Sequence, residues 1–395
     1  MSIKMSKRGT ILFLLALFLT PFIIMNDYVI IPVAADLYAA FPDHESIVNF
    51  ILSGPQILGV IGALLCGRMT KTNQKKIIVV AFSVFALTSI FCTAILSPIF
   101  MAAMRAVQGV AMGFVNTASV TLLAEVFVDE NLRGTYMGIY NAAMAGLGAI
   151  MSYAAGILAK NHWTSVFKVY YATIPMLIIF ILFLPGNTQS AEEEEVQAAS
   201  AKSDKKLDGR YWLFIFSLFM FVLTYMVISY MVSVYITENN LGDSSVAGLA
   251  TSLSTVLSAI MCAIFGFTYG KMKRWIAVPS WIILAIFYAL MVIAPSTAMV
   301  YIASALMGGA FGNAFSWYYV ECTLIVPEDK IGFSVSIVTA VQGLAMGVAS
   351  YFATTLMKIM HTERITPIFV VLAIISVIGT VYSVVHAYSL RKEQV

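Results

Sequence analysis

The arrangement of apolar residues in runs as long as a membrane is thick constrains this chain more than any other feature. A helix needs about 20 apolar residues to cross the hydrocarbon core. Runs of that order recur over residues 10–35, 47–67, 76–97, 98–127, 134–158, 165–185, 210–237, 245–270, 275–294, 298–326, 332–358 and 366–388. They lack the polar/apolar alternation of a membrane barrel strand, and in a bilayer every backbone N–H and C=O must be satisfied within the chain, so they read as helices. The expectation is an all-α integral membrane protein with twelve transmembrane helices. Composition agrees: 11% of residues are charged, against about 25% in a soluble domain.

Lys and Arg set the orientation. Of the 23, Arg105 lies inside a run and Lys160, Lys168, Lys358 and Arg364 fall on one side. The rest gather at the N-terminus, in residues 68–76, at Arg133, in 202–210, in 271–274, at Lys330 and at the C-terminus. That side is expected to be cytoplasmic, with both termini on it. The net charge of +3 is then a topology signal and gives no reason to expect nucleic acid. The first apolar run outlasts the roughly 7–15 residues of a signal-peptide core and reads as an uncleaved span. Cys66, Cys92, Cys262 and Cys322 lie in apolar stretches without paired metal-site spacing and read as buried free thiols.

One long polar stretch, GNTQSAEEEEVQAASAKSDKKLDG at residues 186–209, interrupts the runs. Crowded with charge and poor in apolar residues, it reads as a cytoplasmic linker. It separates a six-helix half, residues 1–185, from a second, residues 210–395. The halves echo each other in order: CGRMTK from Cys66 with YGKMKR from Tyr269, VDENLRG ending at Gly134 with PEDKIG ending at Gly332, and SYAA from Ser152 with SYFA from Ser350. Offsets of 198 to 203 point to a duplication.

Ionisable residues within the runs are few, and Asp27, Arg105, Glu125 and Glu321 stand out among them. A mid-membrane charge is costly, about 2.5–3.5 kcal/mol for Arg even on insertion scales, so each marks a candidate site. Asp27 sits in FIIMNDYVIIP between Pro21 and Pro32, where prolines loosen the helix and bare polar groups. Desolvation disfavours a carboxylate's charge and a neighbouring guanidinium favours it, so Asp27 and Arg105 form either a pair that switches with proton or substrate binding or a static bridge. Arg105, Gln108, Met112 and Asn116 fall at i, i+3, i+7 and i+11 on one helix face. Gly109 and Gly113, four apart, permit close helix contact. Asn313, Trp317 and Glu321 share a face at spacings of four, and Glu321 reads equally as a second proton or cation site or as a cytoplasmic latch.

Six plus six runs, a charged linker, basic loops after the second and eighth runs, and Arg105-x-x-Gln108-Gly109 in the fourth resemble the major facilitator superfamily over the whole chain. The Arg-x-x-Gln-Gly motif and the Asn26-Asp27 pair followed by Pro32 resemble its drug:proton antiporter branch. The fifth-run antiporter motif, ending Gly-Pro-x-x-Gly-Gly, has no match: AGLGAIMSYAAG lacks the proline. The cytoplasmic loop motif keeps only its basic character.

The resemblance implies two six-helix bundles around a cavity that opens alternately to each side, lined by the first, fourth, seventh and tenth spans. It implies proton coupling at Asp27 and Arg105, and gating by Glu125 with Arg68, Lys71 and Arg133. The substrate cavity would draw on Asn26, Gln108, Met112, Asn116, Asn141, Met144, Tyr230, Asn313, Trp317 and Glu321. Aromatic and methionine-rich walls suit amphipathic organic molecules.

Other classes lack their chemistry. GFTYGKMK has neither the spacing nor the hydroxyl of a phosphate-binding loop, so the transmembrane proton gradient is the expected energy source and no cofactor is expected. His44, His162, His361 and His386 show no ligand spacing, and no nucleophile with its base is evident, so no enzyme is expected. No rings of like charge mark a channel. The sequence thus reads as a proton-coupled exporter of small organic compounds or, alternatively, a symporter or exchanger of one metabolite such as an organic acid, sugar or peptide. A monomer in a bacterial cell membrane is the expected setting, with small molecules, protons and lipid as partners.

Overall fold

The computed structural model describes residues 7–67, 69, 73–127, 130–186, 209–326 and 331–391, which contain helices and no strand. The helices are α1 (Lys7–Leu19), α2 (Asp27–Ile30), α3 (Ala34–Ala40), α4 (Glu45–Gly67), α5 (Gln74–Ile90), α6 (Pro98–Val126), α7 (Glu130–Ala159) and α8 (Thr173–Phe183). They continue with α9 (Gly209–Glu238), α10 (Ser244–Ala263), α11 (Phe265–Met272), α12 (Ala277–Ile293), α13 (Thr297–Leu324), α14 (Ile331–Ile359) and α15 (Thr366–Arg391). The chain forms two compact units, Met1–Glu192 and Glu193–Val395. Residues 187–208 of the expected linker lie outside the described residues.

Ten helical stretches among the described residues are long and apolar enough to cross a membrane, and the pair Arg8–Ile23 and Asp27–Ala40, bent by 53°, makes an eleventh if counted as one span. The sequence leads to twelve. The difference lies in the run at 76–97: it folds as the 17-residue α5 and then a turn from Phe91, which puts it at the lower edge of spanning length. Outward-facing Leu64, Val80, Leu182 and Val381 are the lipid-side surface such helices present.

The tightest packing in the first unit is α4 on α6, and small residues set it. A Cβ on Gly109 would lie 2.5 Å from the carbonyl oxygen of Pro55, and one on Gly113 would lie 2.0 Å from that of Gly59. Only a missing side chain lets the backbones approach so closely. In the second unit α10 and α13 repeat this contact, with Gly308 against the Ser254 carbonyl and Gly312 against that of Ser258. Each of these four positions lies 199 residues beyond its counterpart, so the echo read in the sequence extends to individual backbone contacts.

The second unit also ties its ends together. Glu238 closes α9 and accepts from the backbone N–H of Ile365 at 2.6 Å, the Thr366 hydroxyl at 2.5 Å and Arg364 Nε at 3.0 Å. A carboxylate therefore caps α15, where unpaired N–H groups and the helix dipole favour negative charge.

Candidate functional site

The first span is broken where its sequence demands it. Pro21 and Pro32 supply no N–H to a helix, and the chain responds with 3₁₀ turns at Thr20–Ile23 and Ile31–Val33 around the four-residue α2. Asn26 and Asp27 stand at this break, both buried. The break exposes backbone acceptors as well as side chains, and the Tyr170 hydroxyl donates to the Asn26 carbonyl at 3.0 Å.

Arg105 comes to the break from α6 and is fully buried. Its Nη2 donates to Asp27 Oδ1 at 2.6 Å. Nη1 donates to the side-chain oxygens of Asn26 and Gln108, and Nε donates to the Ile51 carbonyl at 2.8 Å. That carbonyl is available because Pro55, inside α4, lacks the N–H that would have bonded it four residues back. The other oxygen of Asp27 accepts from Gln56 Nε2 at 2.7 Å. Asn26 Nδ2 donates to the Ile23 carbonyl at 3.0 Å and to Met112 Sδ at 3.4 Å.

A buried ion pair is tolerable only when its remaining donors and acceptors are also satisfied, and here they are met largely by neutral groups. Three acceptors without charge, from Ile51, Asn26 and Gln108, hold the guanidinium independently of Asp27.

Four of the residues named from the sequence, Asn26, Asp27, Arg105 and Gln108, meet in this network, with Met112 at its edge. Asn116, expected on the same face, is exposed and lies outside it; Asn141 is exposed too, and Met144 is half-buried. Glu125 is half-buried near the end of α6. Of its expected partners, Arg68 and Lys71 lie outside the described residues, as does the side chain of Arg133. Gln56, Tyr170 and Ile51 were not legible as partners, although Pro55 signals a free carbonyl at position 51.

In the second unit Tyr230 is buried, and Asn313 accepts from the Thr268 hydroxyl at 2.8 Å. Trp317 and Glu321 are buried in a separate cluster, with Arg274 Nε 3.8 Å and His386 Nε2 3.4 Å from Glu321 Oε1. The expectation that all four cysteines are buried is corrected at Cys262: it is exposed, while Cys66, Cys92 and Cys322 are buried, and all four are free.

A polytopic helical membrane protein of two units, carrying a buried Asp–Arg pair at a broken first helix, defines the class. Residues 16–350 match the family model described as Major Facilitator Superfamily, and residues 214–394 match it again; the chain belongs to this family. Over 97% of its length it superposes on 98% of a bacterial homologue of the human lysosomal transporter Spinster, with a TM-score of 0.77 at 15% identity.

Among curated proteins it is 26% identical to the methylenomycin A resistance protein of Bacillus subtilis (strain 168), over 36% of this chain and 31% of that protein. It is 25% identical to the arabinose-proton symporter of Escherichia coli (strain K12), over 37% of this chain and 31% of that one. Both matches span less than a third of the relatives' own length.

Proposed function

We propose that the protein is a proton-coupled secondary transporter that exports small amphipathic organic compounds in exchange for protons, with Asp27 as the proton carrier and Arg105 as its fixed partner. The observation that supports this reading is the hold of Ile51, Asn26 and Gln108 on Arg105, three neutral acceptors that keep the guanidinium in place whatever the charge on Asp27. Protonation removes the charge that Asp27 offers to Arg105 and Gln56, so the broken first span is loosened from α4 and α6; deprotonation draws it back. A two-state contact of this kind is what alternating access needs.

In this reading the proton gradient supplies the energy and no cofactor takes part. Asn116, Asn141 and Met144 meet the substrate, and Glu125 gates with the basic loop residues Arg68, Lys71 and Arg133. The protein works as a monomer in a bacterial cell membrane, with its basic loops and both termini in the cytoplasm. The resistance protein among its relatives favours export, whereas the arabinose-proton symporter favours a second reading, proton-driven uptake or exchange of a specific metabolite by the same pair.

The test is growth of an efflux-deficient host carrying wild type or Asp27→Asn on cationic, neutral and anionic toxic compounds. Protection by wild type alone supports acid-dependent export and reveals substrate charge. Heightened sensitivity moves the assignment to uptake, and equal protection by the Asn variant removes Asp27 from coupling.

A further inference from the structure

The first unit carries an open groove that the Asp27–Arg105 network does not use. α4 and α5 each pack on α6, and the part of α6 between them is the floor of a groove of about 690 Å³. Ala106, Val110 and Ala111 of the floor are small enough to leave this space, with Leu58 of α4 on one wall and Val80 and Val84 of α5 on the other. Val80 and Val84 are exposed, as is Val107 of the floor. The groove therefore opens away from the bundle, and in a membrane-spanning chain an apolar opening of this kind faces lipid.

One charge interrupts the apolar lining. Lys76 stands in the first turn of α5 and shares a face with Val80 and Val84 at spacings of four. Lys76 is exposed and Lys75 half-buried, and neither pairs with a carboxylate among the described residues. The first turn of α5 holds no acidic residue, so the positive end of its dipole adds to the two ammonium groups.

The dimensions match one lipid tail. Lys76 and Val84 are eight residues apart, about 12 Å along the helix, and one leaflet's hydrocarbon is about 15 Å deep. On α6 the lining residues from Ala106 to Phe114 cover the same length. The groove thus starts at a cationic mouth, on the side where the basic loop residues gather, and ends near mid-membrane. The stem of Lys76 follows the apolar wall while its ammonium stays at headgroup level. Such a mouth repels a cationic amphiphile and attracts an anionic headgroup.

We propose that this groove binds one anionic phospholipid, with an acyl chain on the α6 floor and the phosphate held by Lys76 and Lys75. The floor is the back of the helix that presents Arg105 and Gln108 to the first span, so the bound lipid braces α6 from the side opposite the ion pair. The inference depends neither on the transported compound nor on proton coupling, and its readout requires no transport.

Native mass spectrometry of the purified full-length protein reads the site directly, after incubation in detergent with equal amounts of phosphatidylglycerol and phosphatidylcholine bearing the same chains. Wild type is expected to retain one phosphatidylglycerol in preference to phosphatidylcholine. Lys76→Gln should cut that preference about fivefold, the worth of one basic residue near a membrane surface. Val107→Trp fills the floor and should reduce retention of both lipids, whereas Ile178→Trp, at an exposed position on α8 outside the groove, should change neither. Equal retention of the two lipids by wild type, or a preference unmoved by Lys76→Gln, overturns the proposal even if Val107→Trp fails to fold. Undiminished retention by a folded Val107→Trp places the lipid elsewhere and overturns it as well.

Discussion

Arg105 donates its Nε–H to the carbonyl oxygen of Ile51 at 2.8 Å, the carbonyl that Pro55 leaves without a helical donor. A helix defect and a buried charge each carry a cost alone, and here each meets the other's need.

Pro55→Ala should separate stability from activity. Alanine restores the N–H that can bond Ile51, and it is favoured over proline in a helix interior by about 3 kcal/mol. The melting temperature should hold or rise while transport falls, because Arg105 loses its backbone acceptor. Thermal unfolding in detergent and transport in proteoliposomes, measured on one preparation, check both.

Arg105→Lys keeps the charge but cannot reach four partners with a planar fork. Transport should drop at least about tenfold. Arg105→Ala should do worse, since removing one member of a buried pair typically costs about 3–5 kcal/mol. Equal activity in wild type and the Lys variant would show that a point charge suffices.

Gly113→Ala should force α4 and α6 apart, because its Cβ would lie 2.0 Å from the Gly59 carbonyl oxygen. Overpacking of this kind costs about 1–3 kcal/mol. Gly146→Ala is the control: nothing lies within 4 Å of the added carbon, and the helix gains up to about 1 kcal/mol from the substitution. Melting temperatures should move in opposite directions.

Glu238→Ala should fray the start of α15. Losing a helix cap costs about 0.5–2 kcal/mol, and three of the Glu238 contacts are to the backbone of Ile365 and to Thr366. Hydrogen exchange should accelerate at residues 365–369 and stay unchanged in α4 and α6. Uniform exchange throughout would remove the capping role.

The sequence displays its charges and hides their neutral partners. Asp27 and Arg105 stand out because an ionised group in an apolar run is rare, and Gln108 follows from helical spacing. Gln56 and Tyr170 are ordinary polar residues in other helices, and only tertiary packing brings them to the pair. His386 reads as the tail of an apolar run until α15 sets it beside Glu321. Asn116 fails in the opposite sense: its spacing puts it on the right face, but periodicity cannot say how far along that face the site extends. The prolines that break the first span and the glycines that seat α6 on α4 were legible because each acts through its own backbone.

The repeated helix crossing gives the molecule its own control experiment. At an offset of 199, Gly109 and Gly113 correspond to Gly308 and Gly312, Pro55 to Ser254, and Arg105 to Ser304. Where the first crossing is threaded by a guanidinium, the second borders a cavity of about 20 Å³ lined by Ser229, Thr251, Ser254 and Ser304 among others. Two scaffolds in one chain thus share a backbone template and differ in the electrical load they carry. Comparing how the two crossings breathe in one membrane, at one temperature and in one sample sets a charged, proline-broken crossing against a neutral, serine-lined one.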